Sequence, residues 1–166
     1  MTEYALGVDE PVVPKGIEAD TERMLERLLH GSGLEHAADI RARLQEHMFD
    51  QCGVVRTETG LRDLQRILAN LRDRYELVGV EDRGRRYNTE LMETVELGFL
   101  LDVAETVAAA ALARDESRGG HYREDHPLRD DDHWLRHSLA YQEEGGVRLE
   151  YKDVKLGPYI PMERKY

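Results

Sequence analysis

Apolar residues recur at helical spacing through the first two thirds of the chain and switch to alternation near its end. Met24, Leu25, Leu28 and Leu29 form the first stripe, with Asp20 or Thr21 placed to cap it and "HGSG" from His30 to Gly33 placed to stop it. A second helix is predicted from about Leu34 to Gln51, carrying Ile40, Leu44 and Met48 at four-residue spacing, with Gly53 as its stop. Thr57 then caps a third, whose Leu61, Leu64, Leu68, Leu71, Tyr75 and Val78 make a heptad-like seam suited to antiparallel packing at a shallow angle. "GVEDRGRRYN" is a polar connection, and Asn88 or Thr89 caps a fourth helix that reaches about Arg114. This last helix is apolar nearly all round, through Leu91, Met92, Val95, Leu97, Phe99, Leu100, Leu101, Val103 and Val107, so it is expected to be central and buried on more than one side. Leu64, Leu68, Leu71, Val95 and Phe99 are the expected core.

Past this point the period changes. Val147, Leu149 and Tyr151 alternate with Arg148, Glu150 and Lys152, and "EEGG" turns this strand back on "HSLAYQ". The fold class is therefore mainly α: a three- to four-helix antiparallel, spectrin-repeat-like bundle with a C-terminal β-hairpin and extended tail. Residues 1–19, with Pro11, Pro14 and Gly16, read as an extended lead-in; 20–114 form the bundle; 115–166 hold a charged run, the hairpin and the tail.

Charge narrows the partners. Acidic side chains number 34 against 23 basic ones, a formal net charge of −11, which opposes nucleic acid and anionic membrane surfaces. No apolar run approaches a membrane span, so direct membrane insertion is not expected. The start, "MTEYALGVDEP", has neither the basic nor the apolar region of a signal peptide. Cys52 is the single cysteine, which fits a reducing compartment, and it reads as a small buried hydrophobe.

The densest chemistry lies in "ESRGGHYREDHPLRDDDHWLRHSLAY", Glu116 to Tyr141. On a helix, His133 and His137 would share a face and offer a metal two ligands, but no third ligand stands at a recognisable spacing, so no metal site is assigned. Arg118, Arg123, Arg129 and Arg136 have the geometry to clamp a carboxylate or phosphate; equally, they can pair with Asp125, Asp130, Asp131 and the other acids around them. Ser117 and Ser138 lack the turn that presents a nucleophile. Trp134 reads as a packing anchor. "GSGLEH" from Gly31 to His36 lacks a preceding strand and the third glycine of a dinucleotide fingerprint, and no Walker motif occurs.

This run resembles the motif that follows the helical domain in succinate dehydrogenase and fumarate reductase flavoprotein subunits. Glu116, Ser117, Arg118, Gly119, His121, Arg123, Asp125, Pro127, Arg129, Asp130, Asp131, Trp134, His137 and Leu139 match its pattern, and Gly120 stands where alanine is usual. "LQEHMFDQCGVVRTETGL", "RYNTELMETVELGFLLDVAE" and the closing "VRLEYKDVKLGPYIPMERKY" are similar to further family segments, so the resemblance runs from about residue 20 to Tyr166. It implies the C-terminal domain of such a subunit. In the family, FAD is bound covalently in an N-terminal domain, the dicarboxylate sits between that domain and a capping domain, and electrons pass to an iron–sulfur subunit and then to quinone. No residue here matches the flavin-linked histidine or the shuttle arginine. The resemblance therefore implies no catalytic, cofactor-binding or metal residue in this chain, which alone would be inactive and bind no FAD. Arg118, His121, Arg123, Asp125, Arg129, Asp130, Asp131, Trp134 and His137 are implied as a structural network fixing the tail against the FAD-binding and capping segments. The implied location is cytoplasmic, at the inner face of the membrane. L-aspartate oxidase and adenylylsulfate reductase share the fold and are the alternatives; a stand-alone helical interaction module is another. Trp134, Leu139, Tyr141, Val147 and Tyr151 are expected to be left uncovered in the chain alone, which invites self-association.

Overall fold

The computed structural model describes residues 16–143, 145–159 and 161–162. In chain order the elements are α1 (Ala19–His30), α2 (Ala37–Cys52), β1 (Val55–Arg56), α3 (Glu58–Tyr75), α4 (Thr89–Ala113), β2 (Tyr122–Arg123), the single turn α5 (Asp131–Trp134), β3 (Arg136–Glu143) and β4 (Gly146–Asp153). The chain is mainly helical with a C-terminal antiparallel hairpin, as its patterning predicts. The lead-in expected over 1–19 falls almost wholly outside the described residues.

The helix starts follow local chemistry. The Thr57 hydroxyl accepts from the Gly60 N–H at 3.1 Å, and the Asn88 side chain accepts from the Leu91 N–H at 2.8 Å, each satisfying a donor that the first turn leaves free. Two starts differ from expectation. The α1 helix begins at Ala19 after Glu18, with no side-chain cap, so neither Asp20 nor Thr21 caps it. The α2 helix begins at Ala37 instead of Leu34, because the three residues before it are used elsewhere. Gly33 turns the chain with φ 64°, Glu35 bridges to Val78 in parallel fashion, and its carboxylate takes both arms of Arg74 at 2.6 and 2.9 Å.

The seam of α3 is the spine of the core. Leu61, Leu64, Leu68, Leu71, Tyr75 and Val78 are all buried, and they meet Leu28 of α1, Ile40 and Leu44 of α2 and Leu97 and Leu101 of α4. The α4 helix approaches closely because the facing residues are small. At Gly98 an added Cβ would lie 2.7 Å from the Tyr75 hydroxyl, which itself donates to the Thr94 carbonyl at 3.0 Å. Further along, Ala104, Ala108 and Ala111 are buried. That close packing corrects one expectation: α4 has one buried face, not several. Phe99, expected in the core, is 57% exposed, Met92 is 70% exposed, Val103 and Val107 are also open, and Val95 is half-buried. Leu97 and Leu101 share the buried face with Thr94, Gly98, Ala104, Ala108 and Ala111, and the remaining large side chains fall on the opposite side.

Arg136 pairs with Asp153 and the ladder runs to Glu143 opposite Gly146, with Gly145 and Gly146 supplying positive φ at the turn. Both strands lie against α4. The β1 and β2 strands form a two-residue parallel ladder, Val55 with Tyr122 and Arg56 with Arg123, that ties the α2–α3 link to the charged run 65 or more residues later. No helix among the described residues is long and apolar enough to cross a membrane.

Leu68, 1% exposed at the middle of the seam, gives a direct test. Leu68→Ala is expected to cost about 2–5 kcal/mol in denaturant unfolding. A loss below about 0.5 kcal/mol would place Leu68 outside the core.

Candidate functional site

The charged run folds over the C-terminal end of α4, and Arg123 is at its centre. Its side chain is fully buried, and every arm has a partner. Nε and Nη2 donate to the two oxygens of Asp125, each at 2.7 Å. Nη1 donates to the carbonyls of Ala111, Leu112 and Arg114 at 3.1–3.3 Å, the group of acceptors that the last turn of α4 leaves unsatisfied. On its other side, Asp125 accepts the Glu58 N–H at 2.9 Å, the first donor of α3. A cation thus sits at the negative end of one helix dipole and its carboxylate at the positive end of another, both favourable placements. The Asp125 carboxyl is held far below the usual carboxylate range, first by the Arg123 guanidinium and against the effect of burial. Arg56 treats α2 in the same way, donating from Nε to the carbonyls of Cys52 and Gly53 at 3.1 Å.

Glu116 is a second buried centre. Its oxygens accept from Arg114 at 2.6 Å, from both arms of Arg118 at 2.7 and 2.9 Å, and from the Asp130 N–H at 2.8 Å. Burial by itself would raise the pKa of this carboxyl; the bonds from Arg118, Asp130 and Arg114 outweigh it, and the group is held ionised. Arg118 continues to Asp131 at 2.7 Å, Arg129 grips Asp131 with both arms, and Arg129 Nη1 donates to the Met162 carbonyl at 2.9 Å, tying the tail. Arg129 and then Arg118 depress the Asp131 carboxyl to about 2. Asp130 caps α5 by accepting the N–H groups of Asp132 and His133.

His121 fixes the join between the run and the bundle. Arg56 donates to its Nδ1 at 2.8 Å, so Nδ1 must carry the lone pair and Nε2 the proton, facing the Arg114 carbonyl at 3.4 Å. Burial pushes its pKa below the ordinary value, and the Arg56, Arg123 and Arg114 guanidiniums add to that.

Trp134 is buried, not uncovered as expected. Arg114 and Arg136 lie over its ring at 5.0 and 4.7 Å, and the Tyr151 ring meets it edge-on at 5.6 Å. Arg114 also donates to the carbonyls of Trp134 and Arg136, both at 2.9 Å, so the hairpin is fastened to the end of α4. Tyr141 and Tyr151 keep open surface; Leu139 and Val147 are half-buried.

Of the nine residues singled out in sequence, eight lie in this arrangement and His137 does not. It sits exposed on β3 opposite Lys152. The shared helical face imagined for His133 and His137 does not exist either, because α5 stops at Trp134, and among the described residues no three His, Cys, Asp or Glu side chains converge. Of the four arginines, Arg118, Arg123 and Arg129 pair with carboxylates, whereas Arg136 uses its plane on Trp134 and Tyr151. Sequence reasoning did not single out Arg56 and Arg114, which besides local bonds to Cys52, Gly53 and Glu116 reach His121, Trp134 and Arg136 across the chain. Ser117 donates to the His126 carbonyl at 2.8 Å and accepts from the Arg123 N–H, a turn-holding role and not a nucleophile's. Cys52 is buried, as its sequence setting predicts, and burial raises the pKa of its thiol.

Arg118, Arg123 and Arg129, with Glu116, Asp125 and Asp131, are each engaged by neighbours from other parts of the chain or of the run, while the buried Arg136 Nε has no hydrogen-bond partner among the described residues. A groove of about 740 Å³ between α3, α4 and the hairpin tip is lined by Asp73, Asp102, Glu105 and Glu143, with its Arg72 already held by Asp102 and Glu105. An acidic lining with no glycine-rich turn at a helix start does not fit the phosphates of a flavin dinucleotide.

A family model described as "Fumarate reductase flavoprotein C-term" matches residues 41–166. A fumarate reductase flavoprotein subunit of Haemophilus influenzae is 38% identical over 148 residues, covering 89% of this chain and 25% of that protein. A succinate dehydrogenase flavoprotein subunit of Rickettsia bellii is 36% identical over 148 residues, with the same coverage of 89% and 25%. Among solved structures, a mutant quinol fumarate reductase of E. coli superposes with a TM-score of 0.87 at 38% identity, over 98% of this chain and 28% of that one. An adenosine-5-phosphosulfate reductase, at 20% identity and a TM-score of 0.72 over 88% of this chain and 26% of that one, shares the fold alone. The chain spans about a quarter of the length of the curated relatives it matches.

The neutral His121 generates a pH test. The folded state refuses a proton that the unfolded chain accepts below about 6.5, so this contribution is complete above that pH and is lost as pH falls. Asp131 stays ionised down to about 2 and does not change over this window. Unfolding free energy is expected to drop between pH 7.5 and pH 5.5 by more in the native chain than in His121→Gln. Parallel losses in the two proteins would show that His121 is free to protonate.

Proposed function

The chain belongs to the fumarate reductase flavoprotein C-terminal family, and from that membership we propose that it is the anchoring domain of a flavoprotein subunit in the succinate dehydrogenase and fumarate reductase group. Residues 20–114 act as the bundle, and 115–166 as the segment that fastens onto the FAD-binding and capping parts of the same subunit. Arg118, His121, Arg123, Asp125, Arg129, Asp130, Asp131 and Trp134 are structural here. In the whole enzyme, succinate–fumarate oxidoreduction would run through FAD held outside this chain, with an iron–sulfur subunit as electron partner at the cytoplasmic face of a membrane-anchored complex.

One observation carries the reading: a fully buried arginine, Arg123, whose three nitrogens all donate to the last carbonyls of α4 or to Asp125, the carboxylate that caps the start of α3. A group built for catalysis must reach its substrate; Arg123 is closed off from solvent and turned to its own chain. The adenylylsulfate reductase alternative shares only the fold, and the succinate and fumarate enzymes share sequence as well.

Two measurements test it. The purified chain is expected to show no flavin absorption after gel filtration and no reduction of an artificial acceptor by succinate; a stoichiometric flavin band would contradict the reading. Placed in the Haemophilus influenzae flavoprotein subunit in exchange for the quarter it matches, the chain is expected to give a soluble protein that retains FAD. A folded chimera that loses FAD would show that it does not do the anchoring work.

A further inference from the structure

The charged run forms a clasp over the C-terminal end of α4. The other end carries a feature that its role leaves unexplained. The 81–88 loop is held rigidly. The Glu90 carboxylate accepts the N–H groups of Glu81 and Asp82 at 3.0 and 2.9 Å, the buried Asn88 donates to the Asp82 and Gly84 carbonyls, and Arg85 pairs with Glu26 of α1. This cage presents Tyr87, which is 101% exposed and has φ 54°. It is the one non-glycine residue with positive φ among the described residues. A bulky side chain in the left-handed region is strained, and strain of this kind persists only where surrounding contacts impose it. Here the contacts impose it on an aromatic ring that touches nothing.

We infer that Tyr87 is a docking knob, and that its occupant is the part of the flavoprotein polypeptide lying outside the quarter that this chain matches, through an apolar socket with an acidic rim. The inference rests on the anchoring role proposed above. Three observations select this occupant. The relatives are about four times as long as the matched region, so in each of them a body large enough is present in the same polypeptide. Between Tyr87 and the clasp, Met92, Phe99, Val103 and Val107 follow at spacings of seven, four and four, an exposed apolar line on one face of α4. This helix of 25 residues spans about 37 Å, so a body touching knob, line and clasp together is of domain size. Finally, Arg83 and Arg86 precede Tyr87 in the same loop, and among the described residues neither makes an ion pair. On a chain of net charge −11, such a local basic pair fits carboxylates at close range and not a polyanion approaching from afar.

The Haemophilus influenzae chimera separates this inference from the reading beneath it. Hydroxyl-radical footprinting at Tyr87 would be compared between the free chain and the FAD-retaining chimera. We expect at least tenfold slower labelling in the chimera, and loss of that protection with Tyr87→Asp read at Met92. Equal labelling in a chimera that retains FAD would overturn the knob and leave the anchoring role standing. A chimera that does not assemble contradicts the anchoring role, and the knob falls with it. Protection already present in the free chain, at the gel-filtration mass of a dimer, would make the occupant a second copy and overturn the inference.

Discussion

A guanidinium cannot lose its charge inside a protein, so burying one forces its surroundings to supply every acceptor. Arg123 is the point at which this chain meets that demand. The last carbonyls of α4 would be left bare by the chain's turn away at Arg114, and Asp125 would be an isolated anion at the start of α3. The arginine answers both, and the two helix ends answer it in return. Because the three participants come from the end of α4, the charged run and the start of α3, none is satisfied unless the run has folded back on the bundle. The short β1–β2 ladder, the neutral His121 under Arg56 and the Glu116 centre all follow from that return of the chain.

The same constraint explains the placement of the hairpin. An isolated two-stranded hairpin is marginal. Here Arg114 holds its base by two carbonyls and lies over Trp134, so the hairpin borrows its foundation from the end of α4. The outward face of α4 receives no such cover. Met92, Phe99 and Val103 remain open there, while Leu97, Leu101 and the small residues of the other face make the core, with Gly98 close under Tyr75.

Much of this was legible in the sequence. The 3-4 spacing of the α3 seam, the Thr57 and Asn88 caps and the alternation of the hairpin are local signals, and each element stands where its signal lies. Phe99 was misplaced because apolarity identifies a helix face without saying which neighbour meets it; the choice was made by close approach of small residues. The start of α2 was misplaced because Glu35 is drawn to Arg74, 39 residues away. In the charged run, composition announced pairing but not who pairs with whom. The motif residues Arg118, Arg123 and Arg129 were found, while Arg56 and Arg114 were not, since a guanidinium aimed at a backbone carbonyl leaves no residue-type pattern. His137 was drawn in by its neighbours in sequence and faces solvent.

The central claim is that Arg123 and Asp125 act as one unit joining α4, the run and α3. A double-mutant cycle in denaturant unfolding, using Arg123→Met, Asp125→Ala and the pair, measures it most directly. The account predicts that the double variant loses less than the two single losses added together, with a coupling of about 1–3 kcal/mol. Additivity within about 0.5 kcal/mol would contradict it, showing that the two side chains stabilise the fold independently.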